Sequence, residues 1–170
     1  MKFLTAVFFA LAIIAPIQSR AQDQVIHYSE ADKTMNAAIA RAQETFPQFM
    51  VQYYEDEEVT GAFLDAFSVK VEMAASGSTS GEHIWVSPFI ETETGFLGLL
   101  ANEPVELPGL TYGSEVTFTL SQISDWSYQR DGRAFGNFTT RVMLPSLAPD
   151  IAQNVRDYLT PAPMPEDWRP

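Results

Sequence analysis

Residues 82–86 contain a carboxylate, a histidine and a tryptophan within five positions. A histidine can act as a general base, bind a metal ion or form a pH-sensitive contact. If this segment is a strand, His83 and Trp85 point to one face and Glu82 points to the other. The segment is therefore typical either of a binding surface or of a structural histidine beside a packed indole.

Asp125 is a second candidate, because its carboxylate could orient the His83 imidazole or act beside it as a further metal ligand. The alternative is that Asp125 caps a turn at the start of a hairpin. A metal site needs several converging ligands, and Glu82 leaves the strand on the wrong face. With no cysteine nucleophile and no phosphate-binding glycine loop either, we predict no metal, no cofactor and no recognisable catalytic set.

Four further residues complete the candidate surface. Trp85 and Trp126 are either core anchors or, if exposed side by side, an aromatic platform for a peptide, a sugar or a basic side chain. Arg141 could hold a carboxylate in a bidentate pair, within the protein or on a ligand. Asn102 is typical of a turn. The predicted binding surface comprises His83, Trp85, Asn102, Asp125, Trp126 and Arg141.

The first residues have the features of a secretory signal peptide. Lys2 precedes an apolar run over residues 3–14, and Ser19-Arg20-Ala21 offers small residues at the −3 and −1 positions of a cut after Ala21. The run is shorter than the ~20 residues that span a bilayer, so we expect cleavage rather than retention as a signal anchor. The absence of cysteine excludes disulfides and an acylated lipoprotein form. We expect a periplasmic or secreted protein, with no membrane attachment after cleavage.

The chain is strongly acidic, with 22 acidic residues, 10 basic residues and a net charge of −12. Cleavage after Ala21 would remove two basic residues and no acid, which changes the net charge to −14. Nucleic acid phosphates and anionic lipid surfaces repel such a chain. The charge therefore favours cationic partners, or it serves only to keep an exported protein soluble.

The pattern of apolar residues predicts one helix followed by strands. Ser29 is typical of an N-cap, and apolar residues recur at helical spacing over residues 31–46 until Pro47 ends the helix. The acidic residues 55–58 predict a solvated connection. From residue 65 the period changes to two, and Asp131-Gly132 is a strong hairpin signal. The predicted strands are residues 67–73, 82–90, 96–100, 115–120, 126–130 and 133–135.

The last part of the chain predicts two helices and a tail. Residues 139–144 favour a helix over a strand, and Pro149 is typical of the first position of another helix. The inward-facing residues of that helix are predicted to be Ile151, Val155 and Tyr158 or Leu159. Residues 160–170 contain four prolines and predict an extended, mobile tail.

Several blocks in a fixed order carry a family resemblance. They are Glu82-His83-Ile84-Trp85-Val86, residues 98–104 with Asn102, residues 113–116, Ile123-Ser124-Asp125-Trp126, and residues 136–141 with Thr-Thr-Arg. On these blocks, residues 67–144 resemble the YegJ-like family of bacterial proteins, a domain of unknown function. The resemblance agrees with an exported bacterial protein and implies no activity or catalytic residue. A looser, fold-level similarity links the chain to SH3-like barrels among bacterial immunity proteins.

Taken together, these features predict a single α+β domain over residues 22–159, with an N-terminal helix, a curved antiparallel sheet or small SH3-like barrel, and a C-terminal helix. We expect a non-enzymatic domain that binds a protein or peptide ligand in the periplasm, preferably a cationic one. One alternative is a hydrolase-like enzyme that uses His83 with Asp125 or Glu82. Another is an immunity-like or structural envelope protein whose strand edge pairs with a partner.

Overall fold

The computed structural model describes residues 32–60, 66–75 and 81–168, except the side chains of residues 57–60. The expected signal peptide, its cut after Ala21 and the expected N-cap Ser29 lie outside these residues. None of the described helices is both long and apolar enough to cross a membrane. The helices and strands are α1 Lys33–Thr60, β1 Phe67–Met73, β2 Glu82–Thr92, β3 Gly95–Leu100, β4 Glu115–Phe118, β5 Ile123–Arg130, β6 Arg133–Gly136, α2 Phe138–Met143 and α3 Pro149–Tyr158.

The strands form one antiparallel sheet in the order β4-β3-β2-β1-β5-β6. Because β4 and β6 stand at the two ends of this order, the sheet is open. The predicted α+β class is confirmed, as an open antiparallel sheet rather than an SH3-like barrel. In the centre of the sheet, Lys70 of β1 lies opposite both Trp85 of β2 and Asp125 of β5, which places these side chains on one face.

Helix α1 packs against the other face of the sheet and forms the hydrophobic core with it. Phe49 has no exposed surface, and its ring centroid lies 5.1 to 6.2 Å from the ring centroids of Phe46, Phe67, Phe89 and Trp126. Each buried aromatic side chain removes roughly 150 to 250 Å² from water. This cluster therefore fixes α1 on the sheet.

The structure corrects the sequence prediction for α1, because Pro47 lies inside the helix and does not end it. Pro47 removes one backbone donor, but Phe46 and Phe49 beside it are buried, and their packing keeps the helix continuous. Residues 55–58, predicted as a connection, belong to the same helix. Asp32 provides the cap: its carboxylate accepts the N–H groups of the residues two and three positions later, both at 2.9 Å.

All six predicted strands are present; β1 has its predicted ends, and the other five differ from theirs by one to three residues. β2 continues two residues beyond its predicted end, β4 stops two residues earlier, and β5 begins three residues earlier. The turn between β5 and β6 has positive φ angles at Asp131 (54°) and Gly132 (74°). Two consecutive positive φ angles are what an Asp-Gly hairpin turn requires.

The two C-terminal helices are also present where the sequence predicts them. Leu159 is buried as expected, but Ile151 is 40% exposed, and the buried residue within α3 is Ala152. Successive helical residues are about 100° apart around the axis, so the inward side of α3 is turned by one residue from the predicted side.

Residues 160–168, predicted as a mobile tail, pack along the edge of the sheet. Leu159 pairs with Ala134 of β6 in a parallel bridge, and the backbone oxygen of Pro163 accepts the N–H of Gly136 at 2.7 Å. The Trp168 ring centroid lies 5.3 Å from that of Tyr128. Proline is compatible with such a position because an edge strand leaves donors unused.

Candidate functional site

The face of the sheet opposite α1 buries polar side chains and exposes apolar ones. On β1 and β5, Lys70, Ser124 and Asp125 are buried. On β2 and β3, by contrast, Ile90 is 43% and Leu99 is 37% exposed. Trp85 and Leu97 on the same face are half-buried. Buried polar groups and exposed apolar surface are the two departures from ordinary patterning that carry information.

The exposed part of this surface is here named the open face. It comprises Glu72, His83, Trp85, Ile90, Leu97, Leu99, Glu115 and Thr117. Strand register makes it continuous, because Ile90 lies opposite Leu97, while Leu97 and Leu99 lie opposite Thr117 and Glu115. The open face therefore combines an apolar centre with acidic side chains.

His83 is exposed on the open face, and its ring is held by Ser124. Nδ1 lies 2.9 Å from the Ser124 hydroxyl, which lies 3.3 Å from the backbone oxygen of Lys70. Both bonds form when the hydroxyl donates to that oxygen and Nδ1–H donates to the hydroxyl, which leaves Nε2 as an acceptor on a neutral ring. Desolvation lowers the pKa of His83 below 6.5, while the charge of Glu72 opposes this shift and that of Lys70 adds to it. The site thus presents an oriented, neutral imidazole.

Lys70 connects the open face to a buried network. Its Nζ lies 4.8 Å from the centre of the Trp85 ring, in a cation–π contact, and donates a hydrogen bond of 3.0 Å to the Thr139 hydroxyl. That hydroxyl donates in turn to the Asp125 carboxylate at 2.6 Å. The position of Trp85 on the open face is therefore coupled to the start of α2.

Asp125 caps α2, rather than the hairpin turn that the sequence offered as the alternative. Its carboxylate is completely buried and accepts four hydrogen bonds. The donors are the N–H groups of Trp126, Phe138 and Thr139 and the Thr139 hydroxyl. Asn137, which precedes α2, has a left-handed φ of 55° and makes no side-chain cap. Burial raises the pKa of Asp125 above 3.8, while Lys70 and the hydrogen bonds oppose that rise.

Trp85 and Trp126 lie on opposite faces of the sheet and do not form the shared aromatic platform that the sequence suggested. Trp126 has no exposed surface, and its Nε1 donates to the Ala42 oxygen and the Thr45 hydroxyl of α1, both at 3.1 Å. Trp126 is therefore a core anchor. Trp85, which is half-buried, contributes to the surface.

Arg141 and Asn102 have different roles. The Arg141 guanidinium donates to the backbone oxygens of Gly136 and Thr160, at 2.9 and 2.8 Å, so it ties the C-terminal segment to the end of β6. It does not join the His83 surface. Asn102 follows Ala101, whose N–H donates to the Trp85 oxygen at 2.8 Å, so the turn that contains Asn102 starts beside the open face.

The His83 ring contacts Ser124 rather than Asp125 or Glu82, the two partners that the hydrolase-like alternative would use. The Glu82 carboxylate accepts N–H groups from Val105 and Glu106 on the other side of its strand, and the Asp125 carboxylate accepts its hydrogen bonds from Trp126 and from the start of α2. Two cavities of the described chain, about 480 and 230 Å³, are not lined by His83. Among the described residues, no three His, Asp or Glu side chains group as metal ligands would.

Sequence reasoning missed Lys70, Ser124 and the two leucines of β3 that lie on the open face, Leu97 and Leu99. Lys70 occupies an ordinary outward position of its strand, and it is buried because Thr139 reaches it from a distant part of the chain. The leucines did leave a signal. Strand β3 reads Gly-Phe-Leu-Gly-Leu-Leu and is apolar on both faces, which is typical of a strand covered on both sides or of one that presents an apolar surface.

The fold and the site define an α+β protein with a long helix on one face of an open sheet and a partly apolar surface on the other. The model of the family described as "Uncharacterized protein conserved in bacteria (DUF2314)" matches residues 32–158. The chain belongs to this family.

Two curated relatives extend this result. The chain is 26% identical over 159 residues to "Uncharacterized protein YegJ" of Escherichia coli K12, covering 94% of the chain and 96% of that protein. It is 33% identical over 124 residues to "Putative ankyrin repeat protein NMB1133/NMB1171" of Neisseria meningitidis serogroup B, covering 71% of the chain and about half (49%) of that protein. The resemblance to the YegJ-like family is confirmed. No solved structure matches the chain.

Proposed function

We propose that the protein is an exported, non-enzymatic binding protein whose open face takes a cationic, partly apolar segment of another polypeptide in the periplasm. The observation that carries this proposal is the apolar centre formed by the exposed Ile90 and Leu99 and the half-buried Trp85 and Leu97, with exposed polar side chains around it. Exposed apolar surface is costly in water and is typical of an interaction site.

The charge of the surroundings selects the class of ligand. Glu72 lies opposite His83, and Glu115 lies opposite Leu99, so both acidic residues border the apolar centre. The net charge of −12 adds a long-range attraction for cations. A ligand with basic and apolar side chains would match both features.

Export rests on the signal-peptide pattern that ends at Ala21. Under this proposal, binding takes place outside the cytoplasm.

A capture experiment with matched variants tests the proposal. The tagged full-length chain is recovered from the cell envelope as wild type, Leu99→Glu, Ile151→Glu and His83→Ala. Leu99 and Ile151 have similar exposure, 37% and 40%, so the two glutamate variants differ mainly in the face that carries the new charge. We expect Leu99→Glu and His83→Ala to lose the captured polypeptide and Ile151→Glu to retain it.

The thermal unfolding of each variant is measured as a control, to separate a loss of capture from a loss of folding. The capture should also weaken when salt rises from about 0.05 M to about 0.5 M, because exposed charges are screened. If Leu99→Glu retains the same polypeptides as the wild type, the open face is not the binding surface.

A further inference from the structure

Three arginines converge on one cavity at the opposite end of the sheet from β4. Arg133 of β6, Arg141 of α2 and Arg156 of α3 line a space of about 230 Å³. The described chain has seven basic residues in total, and they are Lys33, Arg41, Lys70, Arg130, Arg133, Arg141 and Arg156. The protein has a net charge of −12, so three of these basic residues around one cavity make a local positive charge in an otherwise acidic chain.

Among the described residues, the positive charge of this cavity is offset in part by the attraction between Arg141 and the buried Asp125. The lining of the cavity contains no acidic residue. The ion pairs among the described residues are Arg41 with Glu44 and Arg130 with Asp167, and neither involves the three arginines. Like charges brought together repel each other, so the cavity is stabilised by any anion that enters it.

Arg141 is already held in a fixed orientation. Its Nε donates to Gly136, and its two terminal nitrogens donate to the backbone oxygen and the hydroxyl of Thr160, at 2.8 and 3.3 Å. These bonds use three of its five N–H donors, and two donors remain. The guanidinium is partly desolvated, which lowers the pKa of Arg141 from its ordinary value, against the attraction of Asp125. A fixed, partly desolvated guanidinium binds an oxyanion with little loss of side-chain entropy.

The remaining lining gives the cavity an apolar wall, formed by Leu144, Leu159 and Pro161. Arg133 of β6 and Arg156 of α3, which line the same cavity, are exposed, so their long side chains are free to contact a ligand. We propose that this cavity binds the oxyanion group, carboxylate or phosphate, of a small ligand whose apolar part packs against that wall. This site goes beyond the proposed polypeptide surface, from which it differs in location and in the sign of its charge.

Nitrogen-15 NMR titration of the full chain at constant ionic strength tests the site, with inorganic phosphate in one arm and hexanoate in the other. We expect saturable shifts of the backbone amides of Arg156, Leu159 and Thr160. In the double variant Arg133→Gln/Arg156→Gln the affinity should fall about tenfold or more, because two charged donors are lost. The control Lys33→Gln/Arg41→Gln removes the same charge elsewhere and should bind as the wild type does.

Saturable binding of phosphate but not of hexanoate indicates a phosphate-bearing ligand, and saturable binding of hexanoate but not of phosphate indicates a carboxylate with an apolar chain. The single variants Arg133→Gln and Arg156→Gln, each with an intermediate loss, guard against misfolding of the double variant. The proposal is overturned if neither anion gives saturable shifts at these amides. Equal affinities of the wild type and the folded arginine variants would overturn it as well.

Discussion

At the scale of single residues, a hydrogen-bonded network of Lys70, Thr139 and Asp125 stabilises the face of the sheet opposite α1. The Lys70 ammonium reaches the Asp125 carboxylate through the Thr139 hydroxyl, and that carboxylate also accepts the first N–H groups of α2. Removing one member of a buried charged network leaves the others without compensation. Trp85, which packs against Lys70, depends on the same network.

Replacing Asp125 with alanine should lower the free energy of unfolding by about 2 to 4 kcal/mol, because buried donors of α2 lose their acceptor. Asp157→Ala is the matched control, since Asp157 is exposed and should change stability by about 0.5 kcal/mol or less. Urea denaturation measures both. Equal losses in the two variants would contradict the network.

The pKa of Asp125 gives this residue a distinct pH signature. Its pKa is raised above 3.8 in the folded chain, so between 3.8 and the raised value the folded state binds more protons than the unfolded state. Stability therefore falls as the pH rises through that range. Relative to Asp125→Asn, the wild type should lose free energy of unfolding as the pH rises above 3.8. A difference independent of pH would show that the carboxyl is not desolvated.

The sequence predicts the positions of some residues on this face of the sheet but not the contacts of others. His83 and Trp85 could be assigned to one face because the period of a strand is two. The partners of Asp125 could not be predicted, because the α2 donors lie 13 and 14 residues further along the chain and reach it only after the β5–β6 hairpin has formed.

At the scale of elements, α1 shows how packing overrides a local rule. Pro47 breaks the hydrogen-bond ladder, yet the helix continues because its aromatic residues are buried on the sheet. The same competition explains the other differences from the sequence prediction. The strands could be predicted from a local period of two in the sequence. The packing of residues 160–168 could not, because it depends on the free edge of β6.

Pro47→Ala should raise the free energy of unfolding by about 1 to 3 kcal/mol, because it restores a helical donor at an exposed position. Pro149→Ala serves as the control. Pro149 occupies the first turn of α3, where a missing N–H costs nothing, so its replacement should give no gain. A stabilisation of the same size at both positions would contradict the account of α1.

The C-terminal segment should contribute measurably to stability. The Trp168 ring lies 5.7 Å from Trp126 and 5.3 Å from Tyr128, and its Nε1 donates to Gln52 of α1 at 2.9 Å. Trp168→Ala should therefore lower the melting temperature and cost about 1 to 3 kcal/mol. Glu166→Ala, an exposed neighbour, should have little effect. A tail that is mobile, as its composition suggests, would show no difference between the two variants.

At the scale of the whole molecule, the two candidate sites have opposite electrostatic character. The open face joins an apolar centre to acidic borders, and the arginine cavity lies across the sheet beside β6. Composition alone predicts only a general preference for cations. The separation of the two surfaces depends on strand order, which no local pattern of the sequence contains.

Export of the whole chain can be tested by fractionation. We expect the periplasmic fraction to contain a protein whose first residue is Gln22, since the signal-peptide pattern predicts a cut after Ala21. Amino-terminal sequencing provides the measurement. Full-length protein found only in the inner membrane would show that the apolar run over residues 3–14 is retained.

The central claim is that the open face binds another polypeptide, and photo-crosslinking in living cells tests it most directly. A photoreactive residue is placed at Thr117 on the open face or at Gln153 on α3, both of which are exposed. We predict that Thr117 gives a crosslink to one defined polypeptide, that Gln153 does not, and that Leu99→Glu abolishes the crosslink. The claim is contradicted if Thr117 gives no specific crosslink, or if both positions capture the same polypeptide irrespective of Leu99→Glu.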